Sequence, residues 1–206
     1  MMRQQNQDVK IRADVNVAAD YWLTTERLAL RRFTPHDLDW LAELYTDPDV
    51  TRYLGGLRDR AGAEQLLNVR ILQYYDEHPG LGIWMTVERA TNERVGYHLL
   101  NHIQGETIIQ IGYGLAKAAW GQGFGTEMAA AVLRYAFVDL QLPRVAGITH
   151  IDNLASQRVL QKIGLHQHGT RLFPHPAYAA NGPMAFFERE AADWLAERAA
   201  GSRRSR

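Results

Sequence analysis

The chain has 206 residues, 46% of them hydrophobic and 22% charged, with 23 basic side chains balanced by 23 acidic ones. That length suits one medium domain, and a formal net charge of zero removes the broad attraction that nucleic acid or an anionic membrane would use. With no cysteine, disulfides, zinc–thiolate sites and a cysteine nucleophile are excluded.

Residues 1–20 are polar and aperiodic, which predicts a flexible arm without the apolar core of a signal peptide. One domain is expected over 21–198 and a disordered tail over 199–206. No run of about 18 apolar residues occurs, so no membrane span is expected, and a cytoplasmic location is the default.

"TERLALRRF" alternates Leu28 and Leu30 with polar neighbours, the pattern of a strand. In "TPHDLDWLAELYTDP", Thr34 suits an N-cap, Pro35 the first helical position, and Asp37 can answer the cap. Leu38, Leu41, Leu44 and Tyr45 form one stripe, and Asp47-Pro48 stops the helix. A second helix is predicted over 61–76. "GIWMTVER" and "RVGYHLLNHI" read as a hairpin around "ATNE", followed by a third run, "TIIQIGYGLA".

A helix over 126–138, a strand "RVAGITHI" and a helix "NLASQRVLQKI" come next. The last is closed by Gly164 as a left-handed cap. "LHQHGTRLF" and "GPMAFFERE" complete the strands, with a loop over 174–183 between them. The order implies an α/β fold: a mixed, largely antiparallel sheet with one parallel crossover over 107–150 and helices on both faces.

Gly121, Gly123 and Gly125 alternate between a strand and a helix in "WGQGFGTEM". A helix N-terminus offers free N–H groups and the positive end of its dipole, and glycines let an anion reach the backbone. A tight turn alone would rarely need three. The dinucleotide fingerprint fails because Thr126 stands where its last glycine belongs. The nucleotide-triphosphate loop fails for want of its lysine.

"WGQGFGTEM" resembles the acyl-CoA loop of the GNAT superfamily of N-acetyltransferases, with Gly123 and Gly125 at the fixed positions. Trp120 stands where Gln or Arg is usual. This is similar to the branch of ribosomal-protein N-terminal acetyltransferases, as are "TERLALRRFTPHDLDWLAELYTDPDV" and "NLASQRVLQKIGL". The resemblance covers about residues 21–195 and implies a GNAT-type fold with acetyl-CoA as co-substrate and no metal. It implies that the N–H groups of Gly121, Gln122, Gly123, Phe124, Gly125 and Thr126 hold the pyrophosphate, with Gln122 adding a contact at its rim. Tyr113, Gly114 and Leu115 would splay from "GITHI" and offer backbone to the pantetheine and the acetyl carbonyl. Asn153 would bind the pantetheine arm, a role compatible with capping its helix.

The family's general acid, a tyrosine, falls at Leu160 here and is missing. Ser156 is the nearest hydroxyl, although a local bond at the helix start would also account for it. The glutamate that often precedes "IGY" is Gln110, which takes no proton at neutral pH. His175, His150 and Tyr178 are the conceivable replacements, with His175 the first choice as a base. The pairs His98/His102 and His166/His168 share strand faces but read as structural rather than metal-binding, and Trp22, Trp40, Trp84 and Trp194 as core or its edge.

The expected reaction is transfer of acetyl to a primary amine by direct attack in a ternary complex. The acceptor is a protein N-terminus or a small molecule such as an aminoglycoside, a polyamine or an amino-acid-like metabolite. Its cleft would be walled by 47–60 and 174–183, with Asp47 and Asp49 able to attract a cation. The alternatives are a non-catalytic CoA sensor on the same scaffold and an anion-binding enzyme unrelated to CoA. Both a monomer and a homodimer are compatible with the sequence.

Overall fold

The computed structural model describes residues 21–179 and 181–204, so the arm expected at 1–20 lies outside the described residues. Eight strands make one sheet: β1 (Leu23–Thr24), β2 (Leu28–Arg32), β3 (Gly82–Glu88), β4 (Arg94–His102), β5 (Ile109–Leu115), β6 (Arg144–His150), β7 (His166–Arg171) and β8 (Met184–Glu190). Their order is β1-β2-β3-β4-β5-β6-β8-β7, and every neighbouring pair is antiparallel except β5 and β6. The single parallel crossover is the one the sequence implies.

The helices are α1 (Leu38–Leu44), α2 (Pro48–Thr51), α3 (Arg60–Gln65), α4 (Gln73–Glu77), α5 (Phe124–Val138), α6 (Leu154–Lys162) and α7 (Ala191–Arg204). The helix predicted over 61–76 is the stretch from α3 to α4, widened to a π segment at Leu66–Leu72. A 3₁₀ turn at Pro35–Asp37 leads into α1. There the Thr34 N–H donates to the Asp37 carboxylate at 2.9 Å and its hydroxyl at 3.1 Å. Arg31 grips both carboxylate oxygens, at 2.7 and 2.8 Å. Burial alone would raise the pKa of Asp37, but these donors hold it below its usual value.

Consecutive residues of β4 show that both faces are covered. The Tyr97 hydroxyl meets that of Tyr45 at the end of α1, 3.2 Å away. The next residue, His98, turns the other way and stacks on Tyr113, whose ring lies against Gly125 of α5. The main core fills both sides of this half of the sheet. A smaller cluster of Ile103, Ala146, Phe173 and Met184 seats the loop between β7 and β8.

α7 was not drawn from the sequence, and it runs to Arg204 through part of the segment expected to be a disordered tail. An alanine-rich run favours the helix, and Trp194 anchors it by packing on Phe137 with ring centroids 5.5 Å apart. Among the described residues no helix is long and apolar enough to cross a membrane.

Candidate active site

The site begins where the sheet divides. β5 and β6 pair at Gln110 and Ala146 alone, and beyond that point they part. On its other side, β5 is fixed by the bonds Ile103 N–H to Ile108 C=O and Ala116 N–H to Val95 C=O. The alternation between them makes Tyr97/Gly114 and Leu99/Gly112 hydrogen-bonded pairs. The N–H groups of Tyr113 and Leu115 therefore point away from β4, into the gap that β6 leaves. The splay expected from the sequence is present. Trp120 Nε1–H donates to the Leu115 carbonyl at 2.9 Å and so fixes the end of the strand.

The glycine loop closes one end of this gap. Trp120 N–H donates to Lys117 and Glu127 N–H to Gly123. Between them, the amides of Gly121 through Thr126 donate to no protein group among the described residues. Gly121 and Gly123 have φ of 75° and 81°, the left-handed region that glycine alone adopts without strain. Gly125 serves another purpose, since a Cβ there would come within 3.2 Å of the Tyr113 ring. Two glycines shape the cradle and the third lets the helix sit on the strand.

A run of unpaired amides leading into the first turn of a fifteen-residue helix suits a pyrophosphate. The cleft they border, about 590 Å³, is also lined by Arg52, Arg158 and Lys162 against the single carboxylate of Asp49. A cleft with this cationic lining beside a glycine loop, with Tyr113, Gly114, Leu115 and Asn153 on its wall, fits the anionic acetyl-CoA that the resemblance implies.

Behind the loop stands a clamp that the sequence reading missed. Glu127 accepts from the Thr25 hydroxyl at 2.6 Å, from the Arg27 N–H at 3.0 Å and from Arg27 Nε at 2.7 Å. Arg27 also donates to the Gln122 carbonyl at 3.0 Å and lies over the Phe124 ring. The clamp ties the β1–β2 turn to the helix start across about 100 residues of chain.

Several expected side chains have other employment. Gln122 donates its amide to the Ala118 carbonyl at 2.9 Å, so it braces the loop from within. Asn153 caps α6 by accepting from Ser156 N–H at 3.1 Å. Asp47 caps α2, and Asp49 pairs with Lys117 at 2.6 Å and Arg52 at 3.1 Å, so neither carboxylate is free for a cation. The Gln110 side-chain amide donates to Asn101 Oδ1 at 3.3 Å.

His175 packs on Gly105 in the β4–β5 turn, away from the residues that line the cleft. Its Nδ1 accepts from the Ala177 N–H at 3.2 Å as a cap. His150 stacks on Tyr53 with centroids 5.3 Å apart, and its Nδ1 accepts from the Asp152 N–H at 3.1 Å. An Nδ1 that accepts leaves the proton of a neutral ring on Nε2. Neither histidine thus presents a free lone pair on Nε2 to an incoming amine. Tyr178, the third candidate, is half-buried, and its hydroxyl accepts from the Gln104 N–H at 3.2 Å.

Leu160, at the place of the family's tyrosine, is 3% exposed. Its Cδ2 lies 2.6 Å from where a Cβ on Gly147 would stand, so it fills the contact between α6 and β6. Leu160→Tyr is expected to overpack this contact and to cost about 1–3 kcal/mol, read as a lower urea midpoint without gain in turnover.

Residues 27–166 match the family model described as "Acetyltransferase (GNAT) domain". The uncharacterized protein YkkB of Bacillus subtilis (strain 168) is 32% identical over 171 residues, which span 82% of this chain and 95% of that one. The uncharacterized N-acetyltransferase YoaA of the same organism is 32% identical over 152 residues, 71% and 84% of the two chains. The solved spermidine N-acetyltransferase from Vibrio cholerae, in complex with CoA and spermine, shares the fold with a TM-score of 0.65 at 15% identity, covering 83% of this chain and 99% of that one. On this evidence the chain belongs to the GNAT family and is an acetyl-CoA-dependent acetyltransferase acting on amines.

Proposed function

We propose that the enzyme acetylates an amine that reaches the cleft already neutral, by direct attack in a ternary complex, without a side-chain base. The observation that carries this reading is the use of Nδ1 in both His150 and His175 on a backbone amide, together with Gln110 where the family often has a glutamate. A free α-amine, with pKa ~7.7–8.0, is about a tenth neutral at pH 7, whereas a lysine near ~10.4 is well under a thousandth neutral. A protein N-terminus or a small molecule with an amine of low pKa therefore suits this site best. The resemblance to ribosomal-protein N-terminal acetyltransferases points the same way.

The V. cholerae neighbour is named for spermidine and is bound to spermine, and a polyamine is the second class of acceptor. The lining favours it less, because Arg52, Arg158 and Lys162 face the cleft and its one carboxylate is already paired.

Acetyl-CoA supplies an activated acyl group on a thiol leaving group. The protein holds its phosphates on the Gly121–Thr126 amides and orients its arm along β5. A backbone N–H facing the gap, at Leu115 or Tyr113, stabilises the oxyanion that develops on the acetyl carbonyl. No metal takes part in this scheme.

The pH dependence tests the absence of a base. With a peptide α-amine as acceptor, kcat/KM is expected to rise through one limb near the amine's own ~7.7–8.0. His150→Gln and His175→Gln should leave that limb in place. A limb near ~6.5 that disappears in either variant would make that histidine the base and overturn the reading.

A further inference from the structure

Acetyl transfer leaves a thiolate that must gain a proton, and the family's donor is replaced here by the buried Leu160. The fold brings another phenol to the same cleft. Tyr113 lies on the parted segment of β5, and its ring passes between His98, stacked at 5.6 Å, and Gly125 at the start of α5. Ser156 of the facing α6 lines the same cleft as Tyr113, the nearest hydroxyl that the first turn of that helix offers. Ser156 sits in the first turn of that helix, with its N–H held by Asn153. Tyr113, Ser156 and Asn153 line one wall of the cavity assigned to acetyl-CoA.

We propose that Tyr113, oriented by Ser156, is the proton donor to the leaving sulfur. As the amine nitrogen bonds to the acetyl carbon and the C–S bond breaks, the phenol gives its proton to the sulfur. The proton lost from nitrogen goes to solvent, and the Tyr113 phenolate regains one from solvent through the Ser156 hydroxyl. Atoms and charge balance without any further reagent.

Two features keep the phenol protonated until it is needed. Burial raises the Tyr113 pKa above its ordinary value, opposed by Ser156. The stacked His98 brings no charge that would favour the phenolate. It is fully buried, bonded through Nδ1 to the Thr86 hydroxyl at 2.7 Å, and pushed by desolvation down to a pKa of about 3. It stays neutral at working pH.

The inference rests on acetyl-CoA-dependent transfer, and the experiment separates the two. Wild type, Tyr113→Phe and Ser156→Ala are compared by calorimetric binding of acetyl-CoA, by thermal melting, and by turnover with two donors. One donor is acetyl-CoA and the other is 4-nitrothiophenyl acetate, whose acidic thiol leaves without protonation. Tyr113→Phe is expected to bind acetyl-CoA and melt as wild type does. It should lose about 10²-fold or more in kcat with acetyl-CoA and little with the activated thioester. Ser156→Ala should lose less than Tyr113→Phe, with the same dependence on donor.

A readout without turnover is the ultraviolet titration of the phenols, taken as wild type minus Tyr113→Phe. It should show one phenol ionising above ~10, and higher still in the Ser156→Ala background. Unchanged kcat in Tyr113→Phe, equal losses with both donors, or a phenol titrating near ~10 in both backgrounds would overturn the role of Tyr113. Wild type that binds acetyl-CoA but releases no thiol to any amine would instead overturn the transfer reading itself.

Discussion

Gly123→Glu is expected to abolish measurable binding of acetyl-CoA, and turnover with it. Gly123 is the N-cap of α5 and has φ 81°, so any side chain strains the backbone by about 1–2 kcal/mol. The larger effect is on the ligand. The carboxylate would stand among the amides of Gly121–Thr126, whose partial positive charge is what a pyrophosphate needs. Isothermal titration of wild type and variant, with a melting curve on each, is the check. A folded variant that still binds acetyl-CoA with wild-type affinity would remove the loop from the phosphate site.

Asp37→Ala is expected to cost the fold heavily, at a place well away from that cleft. Its carboxylate is 1% exposed and gathers Arg31, the Thr34 N–H and hydroxyl, and Arg94 at 3.3 Å. Removing it strips Arg31 of its bidentate partner and the first turn of its cap, at a cost of about 3–5 kcal/mol. For a domain of this size that is a fall in Tm of roughly 6–20 °C. The sign with pH follows from the lowered pKa of Asp37 in the folded state. Its contribution is complete above the unfolded value of ~3.9 and is lost as pH falls through the folded value. Wild type should therefore lose stability on acidification faster than Asp37→Ala does. Parallel acid curves for the two proteins would show that this carboxylate is not what acid attacks.

Asp37 was legible in the sequence because a cap and its answer lie three residues apart, within one turn. The glycine loop was legible for a related reason. Left-handed backbone at Gly121 and Gly123 demands a particular residue, so the conformation is written in the composition. What the sequence hid are meetings between distant segments. Nothing in "IGYGL" or "NLAS" says that Tyr113 and Ser156 line one cleft. Nor does the spacing of Arg27 and Glu127 predict that they clamp the loop between them.

His175 is the converse case. A histidine in a loop near the expected acceptor invites a chemical role, whereas its Nδ1 closes a three-residue turn at Pro176–Tyr178. Local capping by histidine has no periodic signature to warn of it. α7 leaves little trace in the sequence because its apolar stripe is thin; what holds it are meetings with distant segments, Trp194 on Phe137, Glu197 on Arg189 and the Ala191 N–H on the Pro143 carbonyl.

The rims of the sheet bear on how this protein keeps company with copies of itself. At one rim β1 has two residues. At the other, β7 is exposed along its length, carries His166, His168 and Arg171, and slips register between Gln167 and Thr170 with Gly169 at φ 88°. Short, charged and kinked edges give a foreign strand little to zip onto. Among the described residues, strand backbone is left open also in the middle of the sheet, in the notch between β5 and β6. A slender, amide-bearing chain has there the unpaired strand partners that neither rim offers. The same division that opens the enzyme to its substrate thus puts open strand backbone in the interior of the sheet, away from both rims.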